Sequence, residues 1–316
     1  MSGENGTRAL RVQGLVLEAI DVMSVTLVAP DGATLPDWEP GAHVDIVLPG
    51  GLTSQYSLCG ATDARYWKIA VLLEREGKGV SRYIHERLRP GDMLLVGGPR
   101  NHFPLDDAER FLFIAGGIGI TPMLPMIAAA ERLGRPWTLA YGGRSLGRMA
   151  FIDELDAYGG RVRLYPQDDC GMIPIESLLG QAEEGSKVYC CGPEPLLAAV
   201  EQLSATLGRA APRVERFAAK PQDDIGPSTA FRVTLERSGK TLTVPANRTI
   251  VEVLEENQVF VPTSCEEGVC GSCETRVLCG QVDHRDALLS PAERLHNQTM
   301  MICVSRAKGP HLTLDL

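Results

Sequence analysis

The sequence predicts a multidomain protein: a β-barrel first, then a doubly wound α/β domain with a parallel sheet, then a small α+β domain. Three observations predict it. Short alternating apolar segments punctuated by Gly and Pro run through residues 8–105, a pattern of small barrels. Strand–turn–helix units then repeat, which argues for a parallel sheet with helices on both faces. In the last third, "SCEEGVCGSC" (Ser264–Cys273) sets three cysteines at C-x4-C-x2-C spacing.

The bulk numbers narrow the function classes. The chain has 316 residues, enough for two or three domains at roughly 100–200 residues each. Its formal net charge is −9, which disfavours nucleic acid as a partner, because phosphate binding is driven by basic surface. No apolar run approaches the length of a membrane span, and "MSGENGTRAL" lacks the basic and apolar regions of a secretory signal. Nine cysteines in such a chain point to metal or redox chemistry rather than a disulfide framework. A cytoplasmic, monomeric protein is expected.

In the barrel region the strands are expected in "LRVQGLVLEAID", "VMSVTLVAPDG", "GAHVDIVLPGG", "TSQYSLCG" and "RYWKIAVLLE". "EGKGVSRYIHERL" then places Gly77, Lys78, Gly79 and Ser81 ahead of a helix, which reads as an anion cradle. "GPRNHFPL" (Gly98–Leu105) is the exit from this region.

"RFLFIAGGIGITPMLPMIAAAERLG" (Arg110–Gly134) is an apolar strand, a Gly-rich turn and a helix. Glycines let a backbone approach phosphates closely, and a helix N-terminus favours anions. Pro122 stands where the third Gly of G-x-G-x-x-G would be, so this is a different turn. Strands in "WTLAYGGRS", "RVRLYPQDD", "KVYCCGPEPLLAAVEQL" and "PRVERF" complete the set. Ligands bind at the carboxyl ends of such strands, where Gly117, Arg144 and Cys191 fall. "AAKPQDDIGPST" (Ala218–Thr229) has the polar, Pro-bearing composition of a linker.

"FRVTLERSGKTLTVPANRTIVEVLEENQVFVPTSC" reads as strand, turn at Ser238-Gly239, strand, then a helix from Thr249 to Asn257. Thr249 with Glu252 forms a capping-box pattern. The spacing of Cys265, Cys270 and Cys273 with a distant fourth cysteine is that of a two-iron two-sulfur cluster. A zinc site would show a second C-x2-C or Cys/His pair, and none is present. Cys279 ends a strand, "ETRVLCG", and reads as a packed thiol; Cys303, in "MMICVSR", reads as the fourth ligand. The six histidines show no metal-like spacing and read as structural or surface residues.

Residues 230–316 resemble the plant-type ferredoxin domain, which implies a β-grasp-like fold there. "AGGIGITP", "YGGRS" and "CCGPEPLL" resemble, in order and spacing, the nicotinamide-binding half of the ferredoxin–NADP reductase superfamily. "QYSL" resembles its flavin motif R-x-Y-S. The order of the three parts resembles the phthalate dioxygenase reductase family, including vanillate O-demethylase reductases. The resemblance implies a flavin-binding barrel at 1–105, an NAD-binding domain at 106–220, a linker at 221–229 and a ferredoxin domain at 230–316.

It also implies FMN, NADH and one 2Fe-2S cluster, with electrons delivered to a Rieske-type oxygenase acting on aromatic compounds. Around the flavin it implies Ser54, Gln55, Tyr56, Ser57, Val71, Leu72, Gly77, Lys78, Gly79, Val80 and Ser81, with Tyr56 on the ring and Ser57 at its reactive nitrogen. Around the nucleotide it implies Gly116, Gly117, Gly119, Thr121, Pro122, Arg144, Cys191, Gly192 and Pro193. The cluster ligands would be Cys265, Cys270, Cys273 and Cys303. Ser57, Cys191 and Phe217 would be the catalytic residues, although Phe217 serves equally as a core aromatic. Ser54 and Leu73 stand where relatives carry basic residues, which leaves FMN and FAD both open at the residue level; Arg75, Lys78 or Arg82 could supply the missing charge. Two alternatives also stand: a reductase for another one-electron acceptor such as a cytochrome P450, and a non-catalytic, redox-sensing electron carrier.

Overall fold

In the computed structural model, residues 7–218 and 228–316 are described; the linker reading at 221–229 lies mostly outside them. The chain divides into two compact units, Met1–Glu215 and Arg216–Leu316.

The first unit begins with six strands: β1 (Thr7–Ala19), β2 (Val22–Val28), β3 (Ala42–Val47), β4 (Thr53–Ser57), β5 (Trp67–Leu72) and β6 (Met93–Asn101). They form one antiparallel sheet in the order β4-β3-β6-β1-β2-β5. A bridge from Leu58, just past β4, to Ile69 in β5 brings the two edges together. Alternation drives this closure: Leu10, Val12, Val25, Leu27, Val44, Ile46, Ile69 and Val71 all point into one core. Helix α1 (Val80–Glu86) adds Val80 and Ile84 to it.

Strand β6 was not among the expected strands, because "VGGPRN" carries two glycines and a proline, residues that punctuate strands rather than build them. Its pairing with β3 shifts between His43 and Asp45. At Gly97 a Cβ would stand 3.2 Å from the Asp45 carboxylate. The glycine there accommodates a close approach of chain to side chain.

A second sheet follows, all parallel: β7 (Arg110–Gly116), β8 (Trp137–Gly143), β9 (Val162–Pro166), β10 (Ser186–Cys191) and β11 (Arg213–Glu215), in the order β11-β10-β7-β8-β9. Helices α2 (Met123–Arg132), α3 (Ile152–Asp156), α4 (Gln167–Cys170), α5 (Ile175–Gln181) and α6 (Glu194–Thr206) connect the strands. Along β7 the side chains split between two cores. Phe111, Phe113 and Ala115 join α2 residues Met123, Met126 and Ile127. Leu112 and Ile114 join Ile175 and Leu179 of α5 and Leu197 and Val200 of α6. The first of these cores also takes in Val22, Cys59 and Ala70 from the barrel. Barrel and parallel sheet therefore share buried apolar surface within one unit.

The second unit carries β12 (Phe231–Leu235), β13 (Lys240–Val244), helix α7 (Ile250–Glu256), β14 (Glu274–Cys279), β15 (Val282–Asp283), helix α8 (Pro291–His296), β16 (Thr299–Met301), β17 (Arg306–Ala307) and β18 (His311–Leu314). The sheet order is β13-β12-β18-β14-β16, and β12 with β18 is its parallel pair. Thr249 caps α7 through the expected capping box with Glu252, and Ser290 caps α8 in the same way with Glu293. The core is drawn from Phe231, Val233, Leu254, Met300, Ile302, Leu312 and their neighbours.

One expectation is corrected here. Cys279 is exposed rather than packed. Alternation from Thr275 and Val277, both buried, would carry it inward, but the pairing of β14 with β18 shifts between Val277 and Cys279. The irregularity turns the thiol out of the core.

Candidate functional site

Strand β4 delivers the flavin-motif residues. Its register with β3 pairs Ser54 with Ile46, Tyr56 with Val44 and Ser57 with His43. Ser54 and Tyr56 are two apart and share a face, and the Ser54 hydroxyl hydrogen-bonds the Tyr56 phenol. Burial pushes the Tyr56 phenol well above its ordinary range. Gln55 lies on the other face and donates to Asp45 at 3.1 Å. Arg100 also donates to that carboxylate, at 2.6 Å, so Gln55 is part of a structural network within the barrel.

Ser57, at the end of β4, is buried. Cys191, at the end of β10, is buried with no measurable exposure. The two meet at a residue that the sequence reading passed over: Glu215, the last residue of β11 and the register partner of Cys191. Its Oε2 lies 3.8 Å from the Cys191 sulfur. The Ser57 hydroxyl faces the same carboxyl without a fully formed hydrogen bond. Although Glu215 keeps some surface open, desolvation pushes its carboxyl up to about 8, against smaller opposing contributions from Cys191 and Ser57. Burial, then the Glu215 charge, hold the Cys191 thiol well above its usual range. At neutral pH the chain thus places a neutral thiol, a hydroxyl and a largely protonated carboxyl together. The signal available in the sequence was an acidic residue at the carboxyl end of a parallel strand; its partners are remote in sequence.

The glycines of the nucleotide turn divide by role. A Cβ at Gly119 would fall 2.2 Å from the Cys191 carbonyl oxygen, and one at Gly116 would fall 2.7 Å from the Pro193 ring. Both are required for the turn after β7 to pack on Cys191–Pro193, and Gly192 faces Gly116 across that contact. Gly117, at φ +55, has open space where its side chain would be. Thr121 is buried and donates to the Ile118 carbonyl at 3.0 Å. Pro122 and Pro193 start α2 and α6. Arg144 stands exposed just past β8.

Beyond β5, Gly77, Lys78 and Gly79 form the turn into α1, with Gly79 at φ 105. The Ser81 hydroxyl is held within this turn, accepting from the Glu74 N–H at 3.1 Å. Arg82 donates to the Arg75 carbonyl. Val71 and Val80 are core residues and Leu72 is half-buried; His85 Nε2 contacts the Val71 carbonyl at 2.9 Å. Phe217 falls at the start of the second unit, 45% exposed.

In the second unit the four expected ligands converge. Cys265, Cys270, Cys273 and Cys303 are all buried. Cys265 hydrogen-bonds Cys270 and Cys303, and Cys273 hydrogen-bonds Cys303. These shared protons hold Cys265 and Cys273 down and Cys270 and Cys303 up. The Glu267 N–H donates to the Cys265 sulfur at 3.3 Å, and Ser272 lies 3.3 Å from the Cys270 sulfur. Gly268 makes the loop possible: at φ +72, a Cβ there would meet Val304 at 2.7 Å and the Asp286 backbone at 3.0 Å. Among the described residues no group of His, Cys, Asp and Glu is arranged around a single metal ion. A set of four buried sulfurs with backbone donors fits a two-iron cluster, whose thiolates need such donors and exclusion of water.

Known proteins match this arrangement. The family described as a 2Fe-2S iron-sulfur cluster binding domain matches residues 233–308. The chain is 43% identical over 313 residues to phenoxybenzoate dioxygenase subunit beta of Ectopseudomonas oleovorans, covering 98% of this chain and 97% of that one. Among solved structures it matches phthalate dioxygenase reductase, a modular structure for electron transfer from pyridine nucleotides to [2Fe-2S], at 37% identity and a TM-score of 0.72 over the whole of both chains. It also matches an intact type IV self-sufficient cytochrome P450 monooxygenase at 42% identity and a TM-score of 0.92, covering 98% of this chain but 41% of that longer one.

Proposed function

Because the chain belongs to the phthalate dioxygenase reductase family, we propose that it is the NADH-oxidising reductase of a Rieske-type oxygenase that acts on an aromatic compound. A bound flavin accepts two electrons from NADH and releases them singly, and a bound 2Fe-2S cluster relays single electrons onward. The rest falls to the chain. Tyr56 gives the isoalloxazine an aromatic wall, held by Ser54. Ser57 offers a buried hydroxyl to the ring. Cys191 closes the nicotinamide side with a neutral thiol, and Glu215 holds a proton between the two. Gly117 leaves the backbone open to the pyrophosphate, while Gly77, Lys78 and Gly79 line the flavin phosphate side. Cys265, Cys270, Cys273 and Cys303 ligate the irons.

The observation that carries this reading is the set of four buried cysteines, Cys265, Cys270, Cys273 and Cys303, brought together in the second unit. The test is direct. Purified protein is denatured, the released flavin identified and the iron counted, and the dithionite-reduced protein examined by EPR. FMN, two irons per chain and a signal lost in Cys303→Ala are expected. A sample without iron, or a signal untouched by that substitution, ends the reading. NADH is expected to outperform NADPH in steady-state cytochrome c reduction, chiefly on the strength of the family resemblance; a clear NADPH preference overturns that part. The protein is proposed to act as a cytoplasmic monomer. Among the described residues no helix is long and apolar enough to cross a membrane.

A second reading concerns the acceptor. Likeness to a chain that also carries a cytochrome P450 favours a P450 as partner. Reconstitution with purified candidates of both classes, scored by substrate turnover per NADH consumed, separates the two.

A further inference from the structure

Strands β1 and β2 are joined by a two-residue turn, Ile20 and Asp21, since Ala19 pairs with Val22. Asp21 sits at φ 64, a left-handed conformation that Asp and Asn tolerate better than most residues. Four contacts leave this turn in two directions. The Asp21 carbonyl accepts from the Leu73 N–H at 2.8 Å, and its carboxylate lies 3.5 Å from Arg75 Nη2. The same carboxylate accepts from Arg148 Nη1 at 2.6 Å, and the Ile20 N–H donates to the Gly147 carbonyl at 2.9 Å. Ile20 Cδ1 also stands 3.3 Å from where a Gly147 Cβ would be, so that glycine lets the two chains touch.

The two directions lead to different cofactors. Leu73 and Arg75 run into the Gly77–Gly79 turn proposed for the flavin phosphate. Gly147 and Arg148 follow Arg144 in the loop that leaves the nucleotide strand β8. Asp21 is 22% exposed and Arg148 40%, whereas Arg75 is 77% exposed, so the Arg148 pair is the better enclosed and the less screened. Burial alone does not call for this arrangement. A two-residue hairpin turn calls for a residue at positive φ, which Asp21 supplies, but it does not call for an arginine from the loop after β8 on that residue's carboxylate.

We propose that Asp21 is a positioning residue that couples the flavin loop to the nucleotide loop, so that filling one cofactor site tightens the other. The inference rests on the flavin and nucleotide reading above. Coupling between two binding sites is reciprocal, so it can be read without turnover.

The experiment uses the full chain freed of flavin. FMN is titrated by the quenching of its fluorescence, with and without saturating NAD+, which binds but does not reduce it. In the unaltered chain NAD+ is expected to tighten FMN by about five-fold, the low end of ordinary coupling. Asp21→Asn keeps a residue that suits the left-handed turn and removes the charge. It is expected to leave FMN binding alone largely intact and to abolish the NAD+ effect. Arg148→Gln is expected to do the same, and the double variant no more than either single one, as for two members of one pair. In turnover both are expected to raise KM for NADH more than they lower kcat.

The proposal falls if Asp21→Asn or Arg148→Gln, melting as the parent does, retains the full NAD+ effect. It falls equally if NAD+ leaves FMN affinity unchanged in the parent. A parent chain that takes up no FMN at all defeats the flavin reading itself, a separate and recognisable result.

Discussion

Between Ser57 and Cys191 the Glu215 carboxyl keeps its proton far above the pH at which a free glutamate loses it. In the unfolded chain that loss falls near 4.5, and in the fold near 8. Across the interval only the folded state holds the proton. The stability this group contributes is therefore full below the lower value and declines as pH rises to the upper, by at most ~1.4 kcal/mol per pH unit. Melting of the cofactor-free protein, followed from pH 5 to 8, is expected to show this decline, and Glu215→Gln to flatten it. A variant whose pH profile matches the parent's would remove Glu215 as the cause. The same substitution is expected to slow flavin reduction by NADH in stopped flow, since an amide cannot hold or yield that proton.

The loop from Cys265 to Cys273 is an element without regular structure, shaped by Gly268 and its neighbours. Gly268→Ala forces a Cβ into Val304 and the Asp286 backbone at a left-handed φ, so the loop must shift. The expected outcome is loss of iron and of the EPR signal, with flavin content unchanged; retained iron at parent level would show that the loop tolerates the shift. This loop was legible in the sequence because its chemistry is local: three sulfurs and two glycines within ten residues declare it. The capping box of Thr249 and Glu252 was legible for the same reason. Strand β6 was not, because its Gly97-Gly98-Pro99 segment contradicts strand propensity, and what explains the glycines lies across the sheet: the Asp45 side chain against Gly97 and the His43 carbonyl against Gly98. Cys279 misled because alternation was extended through an irregularity that pairing with β18 creates. Glu215 was silent because its meaning depends on residues of two other strands.

At the scale of the whole molecule, the barrel and the parallel sheet keep cores of their own but are joined by an apolar cluster to which both contribute, while the ferredoxin-like part builds its own from residues 231–316. Elements joined by a shared core unfold together, and metal held only by a folded domain stabilises that domain. Calorimetry is expected to show two transitions, with iron chelation lowering only that of Arg216–Leu316; one concerted transition, or both moving alike, would contradict the division. The order of the parts was readable along the chain. That the first two would pool their interior was not, since Val22, Cys59 and Ala70 look like ordinary barrel residues until Met123, Phe113 and Tyr141 are laid against them. A practical opening follows from the cysteines. Seven thiols are shut away and two are open, Cys170 in one unit and Cys279 in the other. A maleimide dye pair offered to the native protein would settle on those two alone, giving a molecular ruler between the units while every iron ligand stays out of the reagent's reach.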